Sequence, residues 1–324
     1  MQLLRAALAV SAIVFAAIFI NAARAQAWPA KPVKVIVPNA PGAIPDVITR
    51  VAADRLSKAL GAAFVVENNT AGAGLVAAQA AARAAPDGYT LFVGTVTTLA
   101  LNLHLFRSLP YRPDSDFVGA VMLYDTGSQS LAVHPEVPAK NLAEFIALAK
   151  SRPGKLAYAA DRGLASVVGE WLKKAAGIDI VLIPYKAPSQ SLSDTAAGRT
   201  QAIIISLPAI DNLRKSGKLR MLAVSSAKRF PGLPDVPAMS ETLPGFNASG
   251  WSALVAPAGT PIEILRRINR AAEPVMDDPD YRQKLLAFGI TTEGAGTVES
   301  IAQFFKSERE RWGTIIRDVG ITPE

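Results

Sequence analysis

The sequence predicts an α/β fold of two lobes, each a mainly parallel sheet flanked by helices, joined by two crossing strands. Three observations carry this. Strand-like runs alternate with amphipathic stretches at the spacing of strand–helix–strand units. The alternation occurs twice, over residues 33–95 and again over 156–225. Two apolar extended runs, residues 130–134 and 249–256, lie between the blocks and supply one crossing out and one back. With 324 residues, half of them hydrophobic, the chain is long and apolar enough for two ordinary cores.

The first unit opens after Trp28-Pro29-Ala30-Lys31-Pro32, where residues 33–37 have the length and β-branching of a buried strand. A loop over 38–44 leads into a helix, and Pro45 suits its first position because the missing N–H would be unpaired there. Val47, Ile48, Val51, Ala52, Leu56, Ala59 and Leu60 form an apolar stripe on that helix. Arg50, Asp54, Arg55 and Lys58 take the wet side, and Gly61 ends it. A strand over 64–67, a Gly-rich loop over 70–74 and an Ala-rich helix to about residue 85 repeat the pattern. Pro86-Asp87-Gly88 reads as a turn and residues 89–95 as a third strand. The second block predicts strands over 156–160, 180–184, 202–206 and 219–225, separated by helices near 141–151, 165–176, 188–197 and 208–216. The remainder is mostly helical, over 262–276, 281–288 and 298–319. The expected lobes are residues 28–129 with 253–324, and residues 130–252.

Residues 1–27 have a composition of their own. Arg5 gives a thin positive start, residues 6–20 run almost wholly apolar, and Ala23-Arg24-Ala25 and Ala25-Gln26-Ala27 follow. This is the layout of a cleaved secretory signal, cut after Ala25 or Ala27. The competing reading, a membrane anchor, has about 15 apolar residues where a spanning helix needs roughly 20.

Composition removes several chemistries. The chain has no cysteine, which excludes disulfides, thiol nucleophiles and a lipoprotein anchor. Its two histidines, His104 and His134, have no acidic cluster at metal-ligand spacing and read as polar surface. Without Arg5 and Arg24 the 34 basic residues become 32, against 27 acidic ones, a net charge of about +5. Such an excess favours anionic ligands. The basic residues are scattered rather than clustered, so nucleic acid is not expected.

The loop ending in Pro45-Asp46 is the most informative motif. A strand that feeds a helix through a Gly-containing loop points backbone N–H groups outward, and the helix dipole adds to them. An ordinary strand–helix turn is the plainer alternative, in which Asp46 simply holds the loop in shape. Gly72-Ala73-Gly74-Leu75-Val76-Ala77 matches a dinucleotide fingerprint. The acidic residue expected about 20 positions later is absent, since the next strand ends Gly94-Thr95-Val96-Thr97. A Gly-rich loop shaping a cleft fits better. Thr95, Thr97 and Thr98 offer three hydroxyls at that strand end, suited to a carboxylate. No nucleophile elbow or phosphate-binding lysine loop is present, so an enzyme is not expected.

Seven motifs then occur in order. They are Trp28-Pro29-x-Lys31-Pro32, the Pro38-x-x-Pro41-Gly42-x-x-x-Asp46 loop, Glu67-Asn68-x-x-Gly72-Ala73-Gly74 with its preceding Ala71, Pro86-Asp87-Gly88-Tyr89-Thr90-Leu91, Pro184-Tyr185-Lys186, Leu233-Pro234-Asp235-Val236-Pro237, and Ala256-Pro257-Ala258-Gly259-Thr260-Pro261. Together they resemble the Bug receptors, the periplasmic solute-binding proteins of tripartite tricarboxylate transporters, over essentially the whole chain after residue 27. The resemblance implies a two-lobed periplasmic-binding-protein (flytrap) fold and a small carboxylate ligand, held largely by backbone N–H groups of the first loop. It implies no cofactor, no metal and no catalytic residue. The implied partner is the membrane component of the transporter, and the receptor is expected to be a monomer. The expected ligand-binding residues are Asn39, Pro41, Gly42, Ala43, Ile44 and Asp46 in the first loop, Gly72 in the second, and Thr95, Thr97 and Thr98 at the third strand. The second lobe supplies Ala165, Ser166 and Tyr185.

The sequence departs from the family pattern in both loops. The usual Pro-Gly-Gly-Ser/Thr-x-Asp is Pro41-Gly42-Ala43-Ile44-Pro45-Asp46 here, which removes a hydroxyl and an N–H. The usual Gly-Ser-x-x-His becomes Gly163-Leu164-Ala165-Ser166-Val167, without the histidine. Ala187 stands where a glycine is usual, and Ile205 or Ser206 where an aspartate is. These changes predict a more apolar cleft and a ligand with an extended or aromatic carbon skeleton; the plainer alternative is a receptor that has drifted and binds weakly. A periplasmic protein that signals to a sensor kinase, or a secreted esterase, are the competing functional classes. The esterase would depend on His104 or His134.

Overall fold

The computed structural model describes residues 28–323; the expected leader and its cleavage sites lie outside the described residues. The first lobe begins with β1 (Val33–Val37), α1 (Ile44–Leu60), β2 (Phe64–Asn68), α2 (Leu75–Ala82) and β3 (Thr90–Thr95). The three strands pair in parallel in the order β2-β1-β3. α1 closes on Gly61 in the left-handed conformation at φ 72°, with the Gly61 N–H bonded back to the carbonyl of Ser57. From β3 the chain passes through a wide π-type turn, Thr97–Leu101, into the short α3 (Asn102–Leu105).

β4 (Phe117–Val133) is the long crossing strand. The second lobe follows with α4 (Leu142–Ser151), β5 (Ala157–Asp161), α5 (Leu164–Ala176), β6 (Val181–Tyr185), α6 (Pro188–Ala196), β7 (Ala202–Ser206), α7 (Leu207–Lys215) and β8 (Arg220–Val224). Its parallel strands repeat the order of the first lobe, β6-β5-β7. β9 (Ser249–Pro257) returns the chain to the first lobe. There α8 (Ile262–Asp277), α9 (Pro279–Ala287), β10 (Ile290–Thr291) and α10 (Val298–Val319) complete the fold.

The crossing strands explain why each sheet is mixed. β4 pairs antiparallel with β9 from Phe117↔Pro257 to Ser128↔Ser249, then from Gln129 onward with β7 and from Ser130 with β8. β9 pairs antiparallel with β3. The βαβ strands of each lobe point toward the cleft, so a strand that enters from the cleft side must run against them. The expected crossing over residues 130–134 is therefore only the last part of a 17-residue strand.

The cores reflect this continuity. One cluster packs α1, α8 and α9 on the first sheet through Val35, Ile48, Leu56, Leu91, Ile268 and Tyr281. Another runs without a break from Phe92 and Trp312 in the first lobe, through Trp251 on the crossing strand β9, to Phe145, Tyr158 and Val168 in the second.

Candidate functional site

The loop between β1 and α1 is held open by one carboxylate. Asp46 is buried, at 2 % exposure, and accepts from the Gly42 N–H at 2.8 Å, from Arg50 Nε at 3.0 Å and from Asn68 Nδ2 at 2.8 Å. Asn68 also donates to the Asn39 carbonyl at 2.9 Å and accepts from Arg50 Nη2 at 2.8 Å. It stands beside the loop because β1 and β2 pair Val37 with Asn68. Burial alone would push the Asp46 carboxyl up. The hydrogen bonds from Arg50, Gly42 and Asn68 outweigh it and hold the group below the ordinary aspartate value. Gly42 reaches the carboxylate with φ at +82°, a conformation that side chains other than glycine adopt poorly. The loop then enters α1 from Ala43, with no side-chain cap. Among the described residues the amide N–H groups of Ile44 and Asp46 find no acceptor. Two donors at a positive helix end thus stay available.

Two other strand ends converge on this loop. Gly74, at φ +88°, lies so close to Pro38 that a methyl placed on it would come within 3.0 Å of the proline Cβ and 3.6 Å of Thr98 Cγ2. The second glycine of the dinucleotide-like motif therefore serves close loop packing. Thr95 and Thr98 cap each other: the Thr95 N–H donates to Thr98 Oγ1 at 2.9 Å, and the Thr98 N–H to Thr95 Oγ1 at 3.3 Å. Tyr111 fixes the turn from below by donating to the Thr98 carbonyl at 2.8 Å, and burial pushes its phenol up to about 12. Thr97, half-buried, keeps its hydroxyl free among the described residues and faces the second lobe.

The facing wall is the loop between β5 and α5. Gly163 has φ +153° and ψ −138°, which is open essentially to glycine alone. A methyl there would lie 3.7 Å from Thr97 Oγ1 and 3.9 Å from Asp161 Oδ1. Ser166 turns its hydroxyl back to the Gly163 carbonyl at 2.9 Å and accepts from the Gly163 N–H at 3.2 Å. Ala165 is buried at 3 % exposure. Tyr185 ends β6 opposite Asp161, and its hydroxyl donates to Asp194 at 2.8 Å. The lobes also meet where Leu207 packs on Gly289, and where Leu164 and Val96 flank Gly250.

Comparison with known proteins places this arrangement. The family model described as "Tripartite tricarboxylate transporter family receptor" matches residues 48–321. The chain belongs to this family. It is 34% identical to protein BugT of Bordetella pertussis over 300 residues, covering 91% of each chain. Among solved structures, R. palustris Rpa4515 with adipate is 31% identical with a TM-score of 0.84, covering 92% of this chain and all of that one. MatC (Rpa3494) from Rhodopseudomonas palustris with bound malate is 29% identical with a TM-score of 0.78, covering 89% and 100%.

In this receptor, then, the fold brings together the first loop, Gly74 and Thr98, and it sets Thr97 against the second-lobe loop; Gly72 meets only Leu75 and Val76 of its own turn. The hydroxyls of Thr98 and Ser166 and the carboxylate of Asp46 are each hydrogen-bonded to neighbouring protein groups. Ile44 packs partly on the first-lobe core, and Ile205 is buried in the second-lobe core. His104 Nε2 donates to the Arg309 carbonyl at 3.0 Å against α10, and His134 lies beside Gly198 in the second lobe. Sequence reasoning missed Arg50, Asn68, Asp161 and Gly163 as site residues. Asn68 was within reach, because a polar residue ending a strand next to the first loop is placed there by parallel pairing. Arg50 and Gly163 depend on contacts made only in the folded chain.

Proposed function

We propose that the protein is a periplasmic receptor that holds a small organic carboxylate between its lobes and delivers it to the membrane component of a tripartite tricarboxylate transporter. The observation that carries this reading is the pair of unclaimed N–H groups, Ile44 and Asp46, at the start of α1. They open beside strand ends that face the second lobe, a geometry suited to an anion. The relatives solved with adipate and malate support a carboxylate. The adipate-bound relative supports an extended carbon skeleton. In this reading residues 28–129 with 253–324 move against residues 130–252, the chain acts as a monomer, and its first 27 residues direct export.

The test is thermal unfolding of the protein lacking residues 1–27, against mono-, di- and aromatic carboxylates. A ligand at 100 times its Kd stabilises by about 2.7 kcal/mol, a readily visible shift. Stabilisation by at least one carboxylate supports the reading. No shift across the panel, after a cycle of unfolding and refolding to strip any co-purified ligand, overturns it.

A further inference from the structure

Asp161 gives the cleft a second polarity. It ends β5, beside Gly163 and across from Thr97, and its carboxylate lies close enough to that glycine that a methyl there would sit 3.9 Å from Oδ1. The side chain is reached by water, yet surrounding protein raises its carboxyl above the ordinary range by desolvation. One point above Gly163 lies within 3.9 Å of Asp161 Oδ1 and 3.7 Å of Thr97 Oγ1, which sets the carboxylate against the wall of the first lobe. Among the described residues no side chain hydrogen-bonds or ion-pairs with it, and no cation contributes to its titration. An acidic group held in a cleft without a partner is a standing electrostatic cost, and a cationic ligand group removes it. The opposite wall has the reverse character, with N–H donors at the positive end of α1.

Resting on the carboxylate reading above, we propose that Asp161 selects a zwitterionic ligand, with its carboxylate on the first loop and an ammonium group on Asp161, over a dicarboxylate of the same length. A second carboxylate at that end would meet Asp161 with like charge, whereas an ammonium group can donate to Oδ1 and to the free Thr97 hydroxyl. Asp161 is thus a specificity-determining residue that touches ligand.

The test compares 4-aminobutanoate with succinate, and 6-aminohexanoate with adipate, by calorimetric titration of the wild type and of Asp161→Asn. The expected result is that an amino acid binds the wild type at least about tenfold tighter than its matched dicarboxylate, and that D161N removes or reverses that preference. Equal or tighter wild-type binding of the dicarboxylates overturns the inference and leaves the proposed function standing. Absence of binding by all four overturns the inference for these ligands, and the wider carboxylate panel then decides the function separately. Among the described residues the Asp161 side chain makes no hydrogen bond or ion pair, so the ligand-free thermal midpoint of D161N is expected within about 1 °C of wild type or above it. The wild-type ratio alone stays decisive if the variant is unstable.

Discussion

At the scale of single residues, two carboxylates flank the cleft and titrate in opposite senses. Asp46 is sealed under the first loop and satisfied by three donors. Its native carboxyl lies below the ordinary value of 3.8, so its stabilising contribution is complete above that pH and is lost as pH falls through the lower native value. The wild type is therefore expected to lose stability below about pH 4 more steeply than Asp46→Asn, as measured by denaturant unfolding between about pH 6 and pH 2.5. Asp46→Ala strands the Gly42 N–H and Arg50 Nε and takes one of two acceptors from Asn68 Nδ2. It should cost about 2 kcal/mol and abolish ligand binding, because the loop then loses its shape. Asp161 works the other way. Its carboxyl is raised by desolvation, so acidification through that range stabilises the ligand-free wild type relative to D161N. Asp46 was legible in the sequence from its place after Pro45. Asp161 was not, since nothing in Ala160-Asp161-Arg162 distinguishes a cleft carboxylate from one on an ordinary surface turn.

At the scale of elements, the cleft depends on backbone shapes that glycine permits. Gly163→Ala forces a methyl-bearing residue into a conformation open essentially to glycine. It is expected to destabilise by about 1–3 kcal/mol and to weaken ligand binding, read from denaturant unfolding and titration together. Gly250 sits on β9 where it leaves the second lobe, and a Cβ there would meet Leu164 at 3.1 Å and the Gly127 carbonyl at 3.4 Å. Gly250→Val should hold the lobes apart at this crossing. A loss of ligand affinity of about tenfold or more, larger than the loss of stability, is the expected outcome. The regular βαβ units were legible because their apolar periodicities are strong: β1, β7 and α10 have the bounds expected from sequence. The first three-quarters of β4, residues 117–129, escaped notice because Gly119, Asp125, Gly127 and Ser128 interrupt its apolar run. Those residues suit a strand that passes between two sheets, and pairing with β9 along its length decides the conformation. The π-type turn after β3 escaped for a similar reason, since tertiary support from Tyr111 fixes it.

At the scale of the molecule, the lobes share one core on the side where α10 bridges them. Trp312 of α10 meets Trp171 of α5 edge-on at 6.4 Å, and Trp171 stacks on Phe246 at 4.3 Å. Arg311 donates to the Asn247 carbonyl in the same junction. Glu308 lies at its centre: Oε2 accepts from Trp251 Nε1 at 2.7 Å and from Trp312 Nε1 at 2.9 Å, while Oε1 pairs with Arg311 at 2.9 Å. A junction that is packed and hydrogen-bonded on one side leaves the loop side as the place where the lobes can part, with β4 and β9 as the bending strands. Glu308→Ala leaves two buried indole N–H groups without an acceptor and Arg311 with only the Asn247 carbonyl, and should cost about 3 kcal/mol in denaturant unfolding. Glu308→Gln keeps an acceptor for the indoles and should cost less. Because the apolar cluster runs through both lobes, Glu308→Ala is expected to unfold in one transition at lower denaturant with an unchanged slope. Two separated transitions in that variant would mean that Glu308, and not the shared core, couples the lobes into one cooperative unit.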